Sequence, residues 1–300
     1  MLSRYPTRLI SAWLLFFVFG FSLGPTLSLR AVEELKKTDP WDEALSLDYT
    51  SASRKLEKLH KEDPSDMRIA VAHAAALLSR DPVTQRNILK ARGLLLKLVS
   101  ELPTNEAQYR PLALYLLGRI DQDHLEPERL DSAREFYEQL RREHLGHELA
   151  DQATVHLALL VAMQAPDAQL EDAAAKVEAF LPSVTSAAAK RELHSIAGNL
   201  HWYVRQDAEA ALPHLIAGRE LNYEAFSRNS EVDIMIAGLA REIGLGELAA
   251  KHYRSFAAAV PRDTRAYTAL RLARELEEEA NQGKPNDSSP DGTEAGTLKE

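Results

Sequence analysis

The sequence predicts an all-α protein built from stacked helix pairs, and three observations carry that prediction. Small residues recur at 40-residue steps, Gly118, Ala158, Gly198 and Gly238, each inside a stretch with helical apolar spacing. Only 13 glycines and 7% aromatic residues in a chain of 300 suit helices better than strands. Connections between the periodic stretches are short, and none of the stretches reads as a strand. A repeat of this kind presents a surface to another macromolecule, so binding is the leading expectation and catalysis the one that needs special residues.

Residues 1–31 stand apart from the rest. Arg4 and Arg8 precede an apolar run from Leu9 to Leu23 that includes Trp13, Phe16, Phe17, Phe19 and Phe21. As a helix this run spans about 22 Å, short of the roughly 30 Å hydrocarbon core of a bilayer. Length therefore favours a secretory signal peptide, with Gly20, Gly24 and Pro25 breaking the helix and Gly24 and Ser28 offering small residues for cleavage. An uncleaved anchor is the other reading: Leu27 and Leu29 lengthen the span, and the arginines keep the amino end in the cytoplasm. Either way the remainder lies outside the cytoplasm, secreted or periplasmic, or held at the inner membrane by its amino end.

Residues 32–40 read as a linker and 41–280 as the repeat domain. After Pro40, Leu45, Tyr49, Ala52, Leu56 and Leu59 form one stripe, which stops at Asp63-Pro64. Ser65 or Asp66 caps the next helix, whose face is Ile69, Ala72, Ala76 and Leu77. Asp81-Pro82 opens a third, with proline in the first turn, and Ile88, Ala91, Leu95, Leu98 and Leu102 follow. Helices are then expected over 108–121, 127–144, 147–164 and 169–181. The clearest pair starts near Ser186 with Leu193, Ile196, Ala197, Leu200 and Val204, and returns from Ala208 to Asn222. A matching pair carries Val232, Ile236, Leu239 and Ile243, turns at Gly244 and Gly246, and continues through Ala249, Tyr253, Phe256 and Val260. A last helix over 263–280 ends in the glutamate run Glu275 to Glu279, as a capping helix with a solvated face does. Residues 281–300 contain one leucine and no aromatic residue, so they cannot offset the entropy of ordering and read as a disordered tail.

Composition closes off several chemistries. There is no cysteine, hence no disulfide, thiolate metal site or cysteine nucleophile. Formal net charge is -9; beyond the three arginines of residues 1–31 the chain carries 33 basic against 45 acidic residues, or -12, a surface that repels phosphate backbones on average. His144 and His147 stand three apart beside Glu143 and Glu148, but Gly146 ends the helix between them, and two histidines do not specify zinc. His194 and His201 share a face about 10 Å apart along the axis, too far to hold one ion. No phosphate loop, HExxH or GxSxG is present. No cofactor and no metal are expected, and no nucleic-acid partner.

Within the two best units the internal spacing also repeats: Gly198, Ala210 and Ala217, then Gly238, Ala250 and Ala257, with offsets of 12 and 19. Small residues at these offsets are expected where helices cross closely. This resembles the tetratricopeptide repeat over about residues 65–280, and Leu114-x-x-Leu117-Gly118 resembles that family's opening. The usual period of 34 is exceeded here, and period alone equally suits HEAT or armadillo-like pairs; Ala133 follows Gly118 by 15, and Pro213 inside the second helix of its pair implies a kink or a late helix start. The resemblance implies a right-handed superhelical array whose concave face comes mostly from the first helix of each pair and holds a peptide or partner helix. Mapped onto this chain, its concave positions are Leu112, Tyr115, Arg119, Gln122, Val155, Leu159, Ala162, Ser195, Asn199, Trp202, Val232, Met235 and Leu239. Tyr115, Arg119, Val155, Asn199, Trp202, Met235 and Leu239 are the expected partner-binding residues. The expected function is a non-catalytic protein-binding scaffold of the cell envelope. A helical enzyme acting on polysaccharide, which needs a carboxylate pair in a cleft, and a self-assembling structural oligomer are the alternatives.

Overall fold

The computed structural model describes residues 48–101, 109–164, 170–222 and 226–282; the expected export segment, the linker and residues 283–300 lie outside them. Among the described residues there are twelve α-helices and no strand: α1 Tyr49–Glu62, α2 Met67–Ser79, α3 Gln85–Glu101, α4 Arg110–Arg119, α5 Leu130–Glu143, α6 Glu148–Gln164, α7 Leu170–Glu178, α8 Ala187–Asn199, α9 Ala208–Glu220, α10 Phe226–Glu242, α11 Gly246–Ala259 and α12 Thr264–Gln282. None of them is long and apolar enough to cross a membrane. The chain forms two compact units whose boundary falls between Gln206 and Asp207. It therefore separates α8 from α9, the helices that the sequence pairs most clearly. Gln206, with φ of 52°, ends the first unit in a left-handed turn.

Several helix starts follow side-chain capping. Asp66 accepts from the amides of Arg68 and Ile69, Ser186 from Ala189 and Asp207 from Ala210, each satisfying donors that a first turn leaves open. Prolines set these starts less than the sequence reading expects. Pro82 and Pro127 each precede their helix rather than open it, and both follow cis peptide bonds. The Thr84 hydroxyl accepts from Asn87 N instead, and the Asp121 carbonyl from Arg129 N at 2.8 Å. The late start expected from Pro213 does not occur: α9 begins at Ala208, capped by Asp207, and runs through the proline.

Three of these helices, α4, α8 and α10, end in a recurring way. α4 passes into a π turn, Ile120–His124, and α8 into another, Leu200–Val204. Leu125 N bonds to Ile120 O at 3.2 Å, Arg205 N to Leu200 O at 3.3 Å, and Leu245 N to Ala240 O at 2.7 Å. The last closes a Schellman turn at Gly244, φ 78°. These i to i−5 bonds sit in one frame, one or two 40-residue steps apart.

In the first unit, apolar clusters follow one another along the chain. Ala52 and Leu56 of α1 meet Ala72 and Ala76 of α2 in a thin seam. A larger cluster joins α2, α3 and α4 through Val71, Leu77, Ile88, Leu95, Leu117 and Ile120. The next joins α4, α5 and α6 around Leu114, Tyr137, Leu140, Leu157 and Leu160. The third joins α6, α7 and α8 through Val155, Leu159, Val177, Leu193 and Leu200. Consecutive helices pack throughout, and alternate ones do too: α4 lies against α6, and α6 against α8. In the second unit, α9 to α12 pack consecutively around buried Leu212, Leu215, Ile236 and Phe256.

Buried charges bolt neighbouring helices together. Asp121, with no exposed surface, accepts two bonds from Arg92 of α3, at 2.6 and 2.8 Å, and one from Ser132 of α5. Arg110 of α4 reaches Glu143 of α5 at 2.7 Å and the Val99 carbonyl of α3 at 2.6 Å. Asp151 of α6 accepts from Thr185 N, Thr185 Oγ1 and Ser186 N just ahead of α8. In the second unit Asp233 of α10 takes Arg219 of α9 in a two-pronged pair at 3.0 Å, and Nδ1 of His252 and Oγ of Ser255 from α11 at 2.9 and 2.8 Å. A charge removed from water persists only when its partners are this complete.

Candidate partner-binding face

The side-by-side helices α4 and α6 bring the clearest polar cluster of the first unit together. Tyr115 and Arg119 stand one turn apart on α4, so both side chains leave the same face. Tyr115 Oη lies 3.2 Å from Nε2 of His156 on α6, linking two first helices of successive pairs. Arg119 Nε donates to Asp123 Oδ2 at 2.7 Å, and both side chains keep about a quarter of their surface exposed, 25% and 27%. Beneath them Tyr137 of α5 stacks on the His156 ring, centroids 5.1 Å apart and planes 11° from parallel, and donates its hydroxyl to Gln122 at 2.9 Å. The stack explains Gly118. A Cβ there would come within 2.7 Å of Tyr137 Cδ1 and Cζ and nearer still to Cε1, so the ring can cross the helix only over a glycine.

Electrostatics fix the charge states. Burial works against the Arg119 cation, but the oxygens of Tyr115, Asp123 and Tyr137 outweigh it and raise its pKa. Burial, reinforced by Arg119, holds His156 well below the ordinary histidine range, so its imidazole is neutral at pH 7. Burial likewise pushes the Tyr137 phenol well above its ordinary value. The face thus offers one cation, Arg119, oriented by Asp123 and lying over a neutral imidazole and two buried phenols.

The expected binding residues divide by exposure. Tyr115, Val155 and Leu239 are only 5%, 6% and 3% exposed and spend their surface inside the fold. Arg119, Asn199, Trp202 and Met235 are partly exposed. Asn199 keeps its side-chain oxygen buried without a hydrogen bond among the described residues. Trp202 lies on the π turn after α8, its ring 6.3 Å from that of Tyr203, which is 46% exposed. Tyr115, Arg119 and Gln122, mapped to one face from the sequence, do come together. His156 and Tyr137 were not singled out, although the residue 19 beyond Gly118 is Tyr137, where the two best units have alanine. That exchange is the sequence signal for the stack.

His144 and His147 flank the turn between α5 and α6. His144 caps the end of α5, Gly146 takes φ of 83°, and His147 Nδ1 accepts from Leu149 N at 3.1 Å. His201 instead pairs with Glu178 of α7 at 2.6 Å.

Set beside known proteins, the chain matches no protein-family model and no curated protein.

Proposed function

We infer that the chain is a protein-binding scaffold of the cell envelope, a divergent tetratricopeptide-like array that holds a peptide or partner helix on the face made by the first helices of its pairs. The observation that carries this reading is the packing of alternate helices, α4 on α6 and α6 on α8, which lays successive first helices side by side. The period of the helix endings supports it. On this face Arg119, held in place by Asp123, supplies a charge-assisted donor for a main-chain carbonyl or a carboxylate, and Trp202 supplies apolar area. The apolar run near the amino end supplies export.

Mild crosslinking in intact cells followed by co-purification tests the reading. A partner recovered with the native chain, and lost from both the Arg119→Glu and the Trp202→Ala variants, supports it. Equal recovery with the native chain and both variants would remove the face from consideration.

A further inference from the structure

The seam between α1 and α2 contains an imidazole with nothing to bond. His73 of α2 is 1% exposed, and neither of its ring nitrogens has a hydrogen-bond partner among the described residues. His60 of α1 lies beside it, ring centroids 6.4 Å apart and planes at 58°, with its own Nδ1 buried and unpartnered. Other charged groups face His73 from both flanking helices: Glu57 and Lys61 from α1, and Lys90 from α3. The one carboxylate among them is already committed, because Glu57 Oε1 takes Lys90 at 2.9 Å and Lys61 at 3.2 Å. A proton on His73 therefore enters a buried seam with no free acceptor among the described residues and two ammonium groups nearby.

We propose that α1 is an acid-released latch: protonation of His73 frees α1 from α2 and uncovers the α2 face around Ala72 and Ala76. The seam is thin enough for one charge to matter, since its buried apolar contacts come from three alanines and Leu56, with Ile69 at the edge. The neighbouring cluster across α2, α3 and α4 is far larger, so release stops at α1. Burial, reinforced by Lys90, pushes His73 down to about 4, whereas an undocked α1 returns it to the ordinary value near 6.5. The docked form is thus fully favoured above pH 6.5 and loses ground as pH falls toward 4. At pH 5 the undocked population rises about 30-fold over its value at pH 8.

Hydrogen exchange on the full chain between pH 8 and pH 5, corrected for the intrinsic pH dependence of amide exchange, tests this directly. The α1 amides lose about 30-fold in protection while those of α4 and α6 keep theirs, and His73→Leu and His73→Gln each hold α1 protection constant across the range. Leu fills the site with apolar volume and Gln keeps a neutral polar group, so the pair separates charge from packing. Protection of α1 that is independent of pH in the native chain overturns the latch, as does a loss that persists in both variants.

Discussion

Gly118 and Gly238 stand three 40-residue steps apart in the sequence, yet the two sites are built differently. At Gly118 the ring of Tyr137 fills the space where a Cβ would stand; at Gly238 nothing lies within 4 Å of that position. The residue 19 further on is Tyr137 in one case and Ala257 in the other. A shared small residue therefore has two physical meanings: one glycine admits an aromatic ring and the other is not required by close packing. Near the second site the helices are joined by apolar contacts and by one buried polar cluster. Asp233 of α10 binds Arg219 of α9 and both His252 and Ser255 of α11. Both regions share buried carboxylates and apolar cores, and what sets the first apart is the ring packed over the glycine backbone.

Substitutions can break this contrast. The largest effect is expected from Asp233→Ala, which leaves Arg219 and His252 without their acceptor and costs about 3–5 kcal/mol in urea unfolding of the second unit. The same carboxylate predicts an acid limb. Burial tends to raise its pKa, but the bonds from His252, Arg219 and Ser255 together lower it below the ordinary carboxylate value. Its contribution is therefore complete above about pH 4 and disappears as pH falls through the depressed value, and stability measured across that range should flatten in Asp233→Asn.

Next comes Gly118→Ala, which drives a methyl group into a buried ring and should destabilise the first unit by about 1–3 kcal/mol. Adding Tyr137→Leu to that variant should recover part of the loss, because the obstruction goes with the ring; no recovery would mean that the glycine answers to something else. The smallest effect has the opposite sign. Gly238→Ala meets open space in a helix interior and should stabilise by about 0.5–1 kcal/mol, visible as a small rise in Tm. A loss there as large as at Gly118 would erase the distinction between the two sites.

Much of the fold is legible because helix periodicity and capping are local. Asp66, one of two expected caps, does cap α2, α8 starts just after Ser186, where its periodicity places it, and Gly146 separates His144 from His147. Helix entry at Pro82 and Pro127 was misplaced because side-chain and carbonyl acceptors nearby set the first turn. The charged bolts were hidden for a different reason: Arg92 and Asp121 are 29 residues apart, and only tertiary packing decides which of many acids an arginine meets. The candidate face was half visible. Tyr115, Arg119 and Gln122 come from positions that the resemblance implies, whereas His156 joins them only because α6 lies against α4. Val155 and Leu239 show the converse, apolar residues at mapped positions that the packing consumes.

The π turns that close α4 and α8 bear on how such a chain changes length. One extra residue in a helical turn rotates everything after it by about 100°, which ordinarily turns a buried face outward. Confined to the last turn, the same residue disturbs no upstream contact and aims the residues that follow in a new direction. Asp121 and His201, both inside these turns, point inward to Arg92 and Glu178. Insertions at helix ends are thus tolerated and can supply new inward-facing polar groups.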